Sequence, residues 1–158
     1  MSILKSKFVV TLFAFILIVS TSAQVSLAAG ATPPLTKCFI RVDNPHLSKS
    51  IKLRRGFEAV KVNAVSICNK PMRNVKFTVE IHKRGFIRNH RVATESIEIP
   101  GWIATNQKIE NKSTWEKCKN SKPSQYFGVA FAEAIIDEKL MRTLPVTTEK
   151  TISLPCGT

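Results

Sequence analysis

Hydrophobic and polar residues alternate along several short segments of the chain, and this two-residue period predicts β-strands. The clearest alternation lies in residues 73–83. Its apolar positions, which would face a core, are Val75, Phe77, Val79 and Ile81. Its polar positions, which would face solvent, are Lys76, Thr78, Glu80 and His82. This segment therefore predicts a strand with one buried face and one wet face.

Weaker alternation predicts six further strands, at residues 37–43, 57–68, 89–99, 102–109, 126–136 and 147–156. Segment 126–136 has the length and alanine content of a buried helix, but its small and large residues alternate, which favours a strand. The remaining segments predict connections: a basic link at 49–56, a hairpin loop at 84–88, a turn at Pro100 and Gly101, and loops at 111–124 and 137–145.

The sequence thus predicts about seven strands and no convincing amphipathic helix. This combination is typical of an all-β protein. We expect an immunoglobulin-like antiparallel β-sandwich with two disulfides. A closed barrel is the alternative.

Residues 1–31 have the features of a secretory signal peptide. Lys5 and Lys7 precede an apolar run at residues 8–19 that is too short to span a bilayer, and small residues suited to cleavage follow. Cleavage after Ala28 or Ala31 is favoured. We expect residues 32–158 to form one secreted domain, extracellular or associated with the cell wall, monomeric and without a transmembrane segment.

Four cysteines lie in the predicted mature chain, at Cys38, Cys68, Cys118 and Cys156. An even number in an exported protein predicts two disulfides, with three pairings open. Cys38 and Cys68 sit at the ends of successive strands that antiparallel pairing would bring together. We therefore expect Cys38 to bond Cys68, and Cys118 to bond Cys156.

The segment from Asp43 to Ser48 contains residue types that hydrolases use. Asp43, His46 and Ser48 lie on one turn, however, whereas triad members normally come from separate elements, and the chain has no GxSxG motif. The sequence favours a structural turn made by Asp43, Pro45, His46 and Ser48. We expect no catalytic residue and no enzyme activity.

A second histidine arrangement lies on the predicted hairpin around residue 86. Antiparallel pairing of residues across this hairpin would bring His82 opposite His90, with Glu80 nearby. These three side chains could form a weak zinc or copper site. A shift of one residue in the pairing would separate the two histidines. We therefore expect no metal and no cofactor.

Charge gives the strongest indication of a partner. The net charge of the chain is +13, and removal of Lys5 and Lys7 with the signal would leave +11. The residues that suggest a basic surface are Lys49, Lys52, Arg54, Arg55, Lys83, Arg84, Arg88 and Arg91. Such a surface attracts anionic cell-wall polymers, lipid head groups or acidic proteins. Sequence-specific nucleic-acid binding is not expected, because no recognition motif is present.

We therefore expect a non-enzymatic protein that binds the cell envelope or another polyanionic surface through its basic face. Two alternatives stay open. One is a secreted hydrolase or metal-binding protein that uses His46 or the pair His82 and His90. The other is a cationic toxin or inhibitor that acts on a membrane or a protein. Separately, Asn111, Lys112 and Ser113 match the N-glycosylation pattern.

Short motifs across the mature chain resemble a known group of proteins. They are C-x-I-x-V-x-x-P-H-x-S from Cys38, V-x-V-x-A-x-S-x-C from Val60, the late Cys118, Y-x-G-x-A from Tyr126, and the final Cys156 and Gly157. Together they resemble small exported proteins of actinobacteria and related Gram-positive bacteria. The resemblance implies a two-disulfide β-sandwich without an established activity. The abundance of lysine and arginine is a departure from that group.

Overall fold

A computed structural model of the chain describes residues 36–158. The predicted signal peptide and its cleavage site lie outside these residues. The described part contains one short helix, α1 (Lys49–Arg55), among twelve strands. In chain order the strands are β1 (Cys38–Val42), β2 (His46–Leu47), β3 (Ala59–Lys61), β4 (Ala64–Cys68), β5 (Met72–Lys83), β6 (His90–Ile103), β7 (Ile109–Asn111), β8 (Trp115–Lys117), β9 (Asn120–Ile136), β10 (Lys139–Arg142), β11 (Val146–Thr147) and β12 (Ile152–Gly157). The helix is far too short to cross a bilayer, and residues 36–158 hold no other helix that could.

Every strand pairing is antiparallel, and the strands form three sheets. The largest has the order β10-β9-β5-β6, with β11 and β12 also paired to β9. The others have the orders β1-β4-β7 and β2-β3-β8. Apolar residues from all three sheets meet in one buried cluster. The predicted all-β fold with antiparallel sheets and two disulfides is confirmed, and it is consistent with an immunoglobulin-like sandwich, although it contains more strands than the sequence indicated.

Strands β5 and β9 lie side by side at the centre of the large sheet. The four predicted core residues of β5, Val75 to Ile81, are at most 2% exposed. Segment 126–136 is part of β9, so the preference for a strand over a helix is confirmed. The wet face of β5 was predicted incorrectly in part, because Thr78 and Glu80 are buried. Polar partners compensate them: Thr78 hydrogen-bonds Ser96 at 2.8 Å, and Glu80 is held by neighbouring cations.

The predicted strand 57–68 is two strands in different sheets. β3 pairs with β2 and β8, whereas β4 pairs with β1 and β7. The chain changes sheets at Val62 and Asn63, where Val62 N–H donates to Thr114 O and Asp43 N–H donates to Asn63 O. Val62 is fully buried, so the apolar alternation continues unbroken through the change. A periodic pattern therefore gives no sign of the switch.

Four predicted connections are ordered elements. The basic link is α1, the loop 111–124 contains β8 and the start of β9, and the loop 137–145 contains β10. β10 follows a two-residue turn in which Asp137 and Glu138 both have positive φ, the geometry that favours a tight hairpin. The turn predicted at Pro100 and Gly101 is instead a bulge within β6. There Gly101 has φ 81° and its N–H donates to Asn74 Oδ1.

Both predicted disulfides are confirmed. Cys38 and Cys68 are directly opposite each other at one end of the β1–β4 pair, with Cα atoms 4.0 Å apart. Cys118 bonds Cys156 and so ties the chain between β8 and β9 to β12. The bonds span 30 and 38 residues, and loops of that length correspond to about 3–4 kcal/mol of stabilisation each in the chain-entropy model.

Candidate functional site

Helix α1 presents four residues of the predicted basic surface to solvent. Ser48 caps its start, with Oγ accepting a hydrogen bond from Ile51 N–H at 3.3 Å. Gly56, in the left-handed conformation, ends it and donates its N–H to Lys52 O. Ile51 is the one buried residue of the helix and attaches it to the domain. The exposed basic side chains are those of Lys49, Lys52, Arg54 and Arg55.

The small sheet β2-β3-β8 supplies the surface beside the helix. Lys61 is the centre of a cross-strand row, with His46 opposite it on β2 and Trp115 opposite it on β8. Opposed residues of antiparallel strands point to the same face, so these three side chains lie side by side. This brings the aromatic ring of Trp115 next to the cations of the helix.

Helix and sheet together form a cleft of about 430 Å³. We call it the cationic cleft; its lining residues are Ile51, Arg54, Arg55, Lys61, Lys112, Ser113 and Trp115. Only Arg54 and Arg55 belong to the predicted basic surface. Lys61 lies on a predicted strand and Lys112 in a predicted loop, so no local pattern in the sequence places them beside the helix.

The electrostatics of the cationic cleft favour an anion. Among the described residues, no acidic side chain forms an ion pair with Arg54, Arg55 or Lys61. Burial, together with the charges of Arg54 and Lys112, lowers the pKa of Lys61 from its ordinary value. A bound anion would relieve this repulsion, since it would sit near several positive charges that nothing else neutralises.

One acid lies near the edge of the cleft. Glu110 bridges Lys108 and Lys112, and hydrogen bonds from these two ammonium groups lower its pKa to about 2. Glu110 therefore stays ionised and offsets part of the charge of Lys112. Within the described cleft this leaves Arg54, Arg55 and Lys61 as the uncompensated cations.

Aromatic rings hold two of the nearby cations in place. The guanidinium carbon of Arg55 lies 4.8 Å from the ring centroid of Trp115. The Lys117 ammonium lies at the same distance from Phe57, and the two rings are 5.9 Å apart. Such contacts restrict the side chains and leave their N–H groups available to a ligand.

The predicted turn from Asp43 to Ser48 leads into the helix. Pro45 and Ser48 are buried, and Asp43 pairs with Arg41 at 3.6 Å. His46 belongs to β2, with Nδ1 3.2 Å from Asn44 O. Within the described part of the chain, Asp43, His46 and Ser48 make no hydrogen bond to one another. Their contacts are those of a turn and a helix cap.

The predicted pair of histidines is not formed. The connection between β5 and β6 is residues 84–89, one residue longer than the predicted loop 84–88, so His90 is opposite Lys83 and Arg91 is opposite His82. The imidazole Nε2 of His82 lies 2.7 Å from Glu80, and Arg91 contacts the other oxygen of Glu80 at 2.8 Å. Over residues 36–158, no three His, Cys, Asp or Glu side chains are placed to hold a metal ion.

The other four residues of the predicted basic surface lie on the β5–β6 hairpin. Arg91 is bound by Glu80, and Lys83 Nζ donates to the main-chain oxygen of Thr158. Arg84 and Arg88 are exposed, and neither forms an ion pair with a residue of the described chain. The two groups of the predicted basic surface are therefore separate clusters on different elements.

Asn111 is a buried structural residue. It has no exposed surface, and its Nδ2 donates to Phe77 O and Glu95 O at 3.2 and 3.0 Å. Its Oδ1 accepts from the N–H and hydroxyl groups of Ser113. A glycan on Nδ2 would remove these bonds and has no room in the folded protein.

No protein-family model matches the chain, and no curated protein sequence is significantly similar to it.

Proposed function

We propose that this is a secreted, non-enzymatic protein that binds a polyanion, at the cell envelope or a comparable surface, through the cationic cleft and the basic residues around it. The observation that carries the proposal is the convergence of Arg54, Arg55 and Lys61 on one cleft without an acidic partner. A charge run on a solvated face would spread its cations apart. Here α1 and β3 bring them together at the expense of mutual repulsion.

The ligand class follows from the donors. Guanidinium and ammonium groups around a cleft match phosphate, sulfate or carboxylate groups, and several of them in a row match a polymer that repeats such groups. Nothing in the cleft selects a base or a sugar sequence. We therefore propose recognition of repeated negative charge, with strong dependence on salt.

The hydrolase and metal-binding alternatives have less support. His46 contacts a main-chain oxygen and lies beside Lys61, and His82 is engaged by Glu80. Neither arrangement presents a nucleophile next to a base. The toxin or inhibitor alternative shares the basic surface and differs only in its partner.

The test compares two variants of equal net charge. Inorganic polyphosphate serves as the soluble probe, and its affinity is measured over a range of salt concentrations. Arg54→Gln/Arg55→Gln should weaken binding strongly and reduce its salt dependence. Lys139→Gln/Lys150→Gln removes two exposed lysines elsewhere and should weaken binding only slightly. Equal losses in the two variants would show that net charge, not the cleft, determines binding. No binding by the wild type at low salt would disprove the proposed function.

A further inference from the structure

The loop between β5 and β6 carries two adjacent bulky apolar side chains in full contact with solvent. Phe86 is 105% exposed and Ile87 is 93% exposed relative to a reference residue. Among the described residues these are the most exposed large hydrophobic side chains. Single exposed apolar residues are ordinary on protein surfaces, but a protruding pair marks an interaction site.

The loop is held in the conformation that exposes this pair. Arg84 N–H donates to Gln125 O at 2.8 Å, which fixes the base of the loop to β9. At Gly85 a Cβ atom would come within 2.2 Å of Arg88 O. The close approach of these two parts of the loop backbone therefore requires glycine. β5 is paired on both sides up to Lys83, opposite His90 and Tyr126. Phe86 and Ile87 therefore extend beyond the last paired residues of β5 and β6, and the base of their loop is fixed by hydrogen bonds.

Cations surround the apolar pair. Residues 83–91 contain Lys83, Arg84, Arg88 and Arg91, and no acid. Arg84 and Arg88 flank the pair, and no described acid forms an ion pair with either of them. Glu80 holds Arg91 and braces the base of the hairpin. The tip thus combines two exposed apolar side chains with two arginines, close to them in the chain, that no described acid neutralises.

We propose that this hairpin tip inserts Phe86 and Ile87 into the interface of an anionic lipid bilayer, while Arg84 and Arg88 contact lipid phosphates. The inference extends the proposed function, because it names a bilayer as one of the anionic surfaces bound, but it uses residues outside the cationic cleft. Bulky apolar groups gain by burial at the acyl boundary, and basic residues near the membrane surface gain from anionic head groups. Long arginine stems can lie along the apolar region while the guanidinium stays at the phosphates.

A bilayer fits this tip better than a protein partner does. Two protruding side chains cover only a small part of the ~800 Å² that each partner buries in a stable protein interface. Insertion into lipid needs no complementary pocket and gains from each apolar group separately. An apolar tip (Phe86 and Ile87) next to two arginines (Arg84 and Arg88) matches a membrane surface, in which hydrocarbon lies beneath the phosphate groups.

Vesicle binding tests this inference with a variant that leaves the net charge of the protein unchanged. Phe86→Ser/Ile87→Ser removes the apolar tip, and Leu140→Ser/Leu144→Ser removes two exposed leucines elsewhere as a matched control. Binding is measured by co-sedimentation with vesicles of phosphatidylcholine alone and of phosphatidylcholine mixed with phosphatidylglycerol. We expect the wild type and the control to bind mixed vesicles equally, and the tip variant to bind about tenfold or more weakly. Arg84→Gln/Arg88→Gln should reduce the preference for phosphatidylglycerol by about tenfold, and the cationic cleft and the other basic residues should account for what remains.

Several outcomes would overturn the inference. Equal binding by the tip variant and the wild type would exclude insertion of Phe86 and Ile87. Equal binding to both vesicle types would exclude the role of the flanking arginines. A wild type that dimerises without vesicles, beside a monomeric tip variant, would assign the tip to self-association.

Polyphosphate binding separates this inference from the proposed function. The tip variant should bind polyphosphate as the wild type does, because the cationic cleft is intact. If the wild type binds vesicles through the tip and does not bind polyphosphate, the proposed function fails and the inference stands. If polyphosphate binds and vesicles do not, the inference fails alone. Equal melting temperatures of all variants confirm that none has lost its fold.

Discussion

Arg55 on α1 lies over the indole ring of Trp115 on β8, with 4.8 Å between the guanidinium carbon and the ring centroid. The contact joins the helix to the sheet β2-β3-β8 and fixes one cation at the rim of the cationic cleft. Trp115 is in turn opposite Lys61 across β3 and β8. One aromatic ring therefore lies beside two of the three uncompensated cations.

Replacing the planar cation should weaken the cleft although its charge is kept. Arg55→Lys loses the stacking geometry over Trp115, and we expect the affinity for polyphosphate to fall about twofold to fivefold. Arg54→Lys is the matched control, because Arg54 has no described aromatic ring beneath it. Competition titrations at fixed salt give both values. Equal losses in the two variants would contradict a role for the stacked geometry.

Lys61 should weaken the fold and strengthen binding. Because burial and neighbouring cations lower its pKa, the folded state disfavours the charged form. The penalty is complete at neutral pH and fades as pH rises from the folded pKa towards the unfolded value. Lys61→Met should therefore raise the free energy of unfolding, by roughly 0.5 kcal/mol or less after solvent screening. The same variant should bind polyphosphate several times more weakly.

Urea unfolding at neutral pH checks the first effect of Lys61→Met, and polyphosphate titration checks the second. Lys139→Met, on exposed β10, should change neither quantity much. A Lys61→Met variant that is less stable than the wild type would contradict the repulsion inferred at the cleft.

Glu80 should stabilise the protein in a pH-dependent way. Burial alone would raise the pKa of Glu80, but hydrogen bonds from His82 and Arg91 outweigh it and lower the pKa. The stabilisation is present at neutral pH and is lost as pH falls through the folded pKa, below the ordinary glutamate range. Glu80→Gln should cost about 1–2 kcal/mol at neutral pH. The difference from the wild type should shrink in acid.

Thermal unfolding as a function of pH measures this contribution. Glu98→Gln is the control, because Glu98 forms only an exposed pair with Lys76 and should cost little at any pH. A constant difference between Glu80→Gln and the wild type down to strongly acidic pH would be inconsistent with a lowered pKa of Glu80.

Asn111 should be required for folding stability rather than for glycosylation. Asn111→Asp replaces a buried donor to Phe77 O and Glu95 O with a carboxylate, and we expect a loss of about 2 kcal/mol or more. Asn89→Asp, on the exposed hairpin loop, should be neutral. Denaturant unfolding compares the two. Mass spectrometry after expression in a eukaryotic host should find Asn111 unmodified, and an occupied site would refute its burial.

Each disulfide should contribute substantially and independently. Cys118→Ser/Cys156→Ser should lower the free energy of unfolding by about 3–4 kcal/mol, because it releases β12 from the chain before β9. Cys38→Ser/Cys68→Ser should have an effect of similar size. Thiol titration of the denatured, unreduced wild type should find no free thiol. Four free thiols would contradict both bridges.

The periodic segments allowed the scaffold to be predicted from the sequence. Alternation in residues 73–83 gave the buried face of β5, and small and large residues in turn identified β9. Cys38 and Cys68 at strand ends gave the first correct pairing, since two antiparallel strands place their matching ends together, and this left Cys118 and Cys156 for the second. These features depend on the spacing of residues that are close in the chain, which the sequence shows directly.

Local spacing could not reveal where strands change sheets or how they pair. The change at Val62 and Asn63 keeps every apolar residue buried, so its pattern is that of a single strand. The connection between β5 and β6 is one residue longer than predicted, so Arg91 and not His90 is opposite His82. The hairpin keeps its positive charge in either register, whereas His82 and His90 are opposite each other only in the predicted one.

The sequence by itself determined the all-β class, the two disulfides and the excess of positive charge, because strand period, cysteine number and net charge are properties of the chain. Tertiary structure alone decided which charges meet. Lys61 and Lys112 join Arg54 and Arg55 only because α1 packs beside β3 and β8, and Arg84 and Arg88 stand apart at a hairpin tip. Contacts between residues distant in sequence depend on how sheets pack, and no short segment of sequence carries that information.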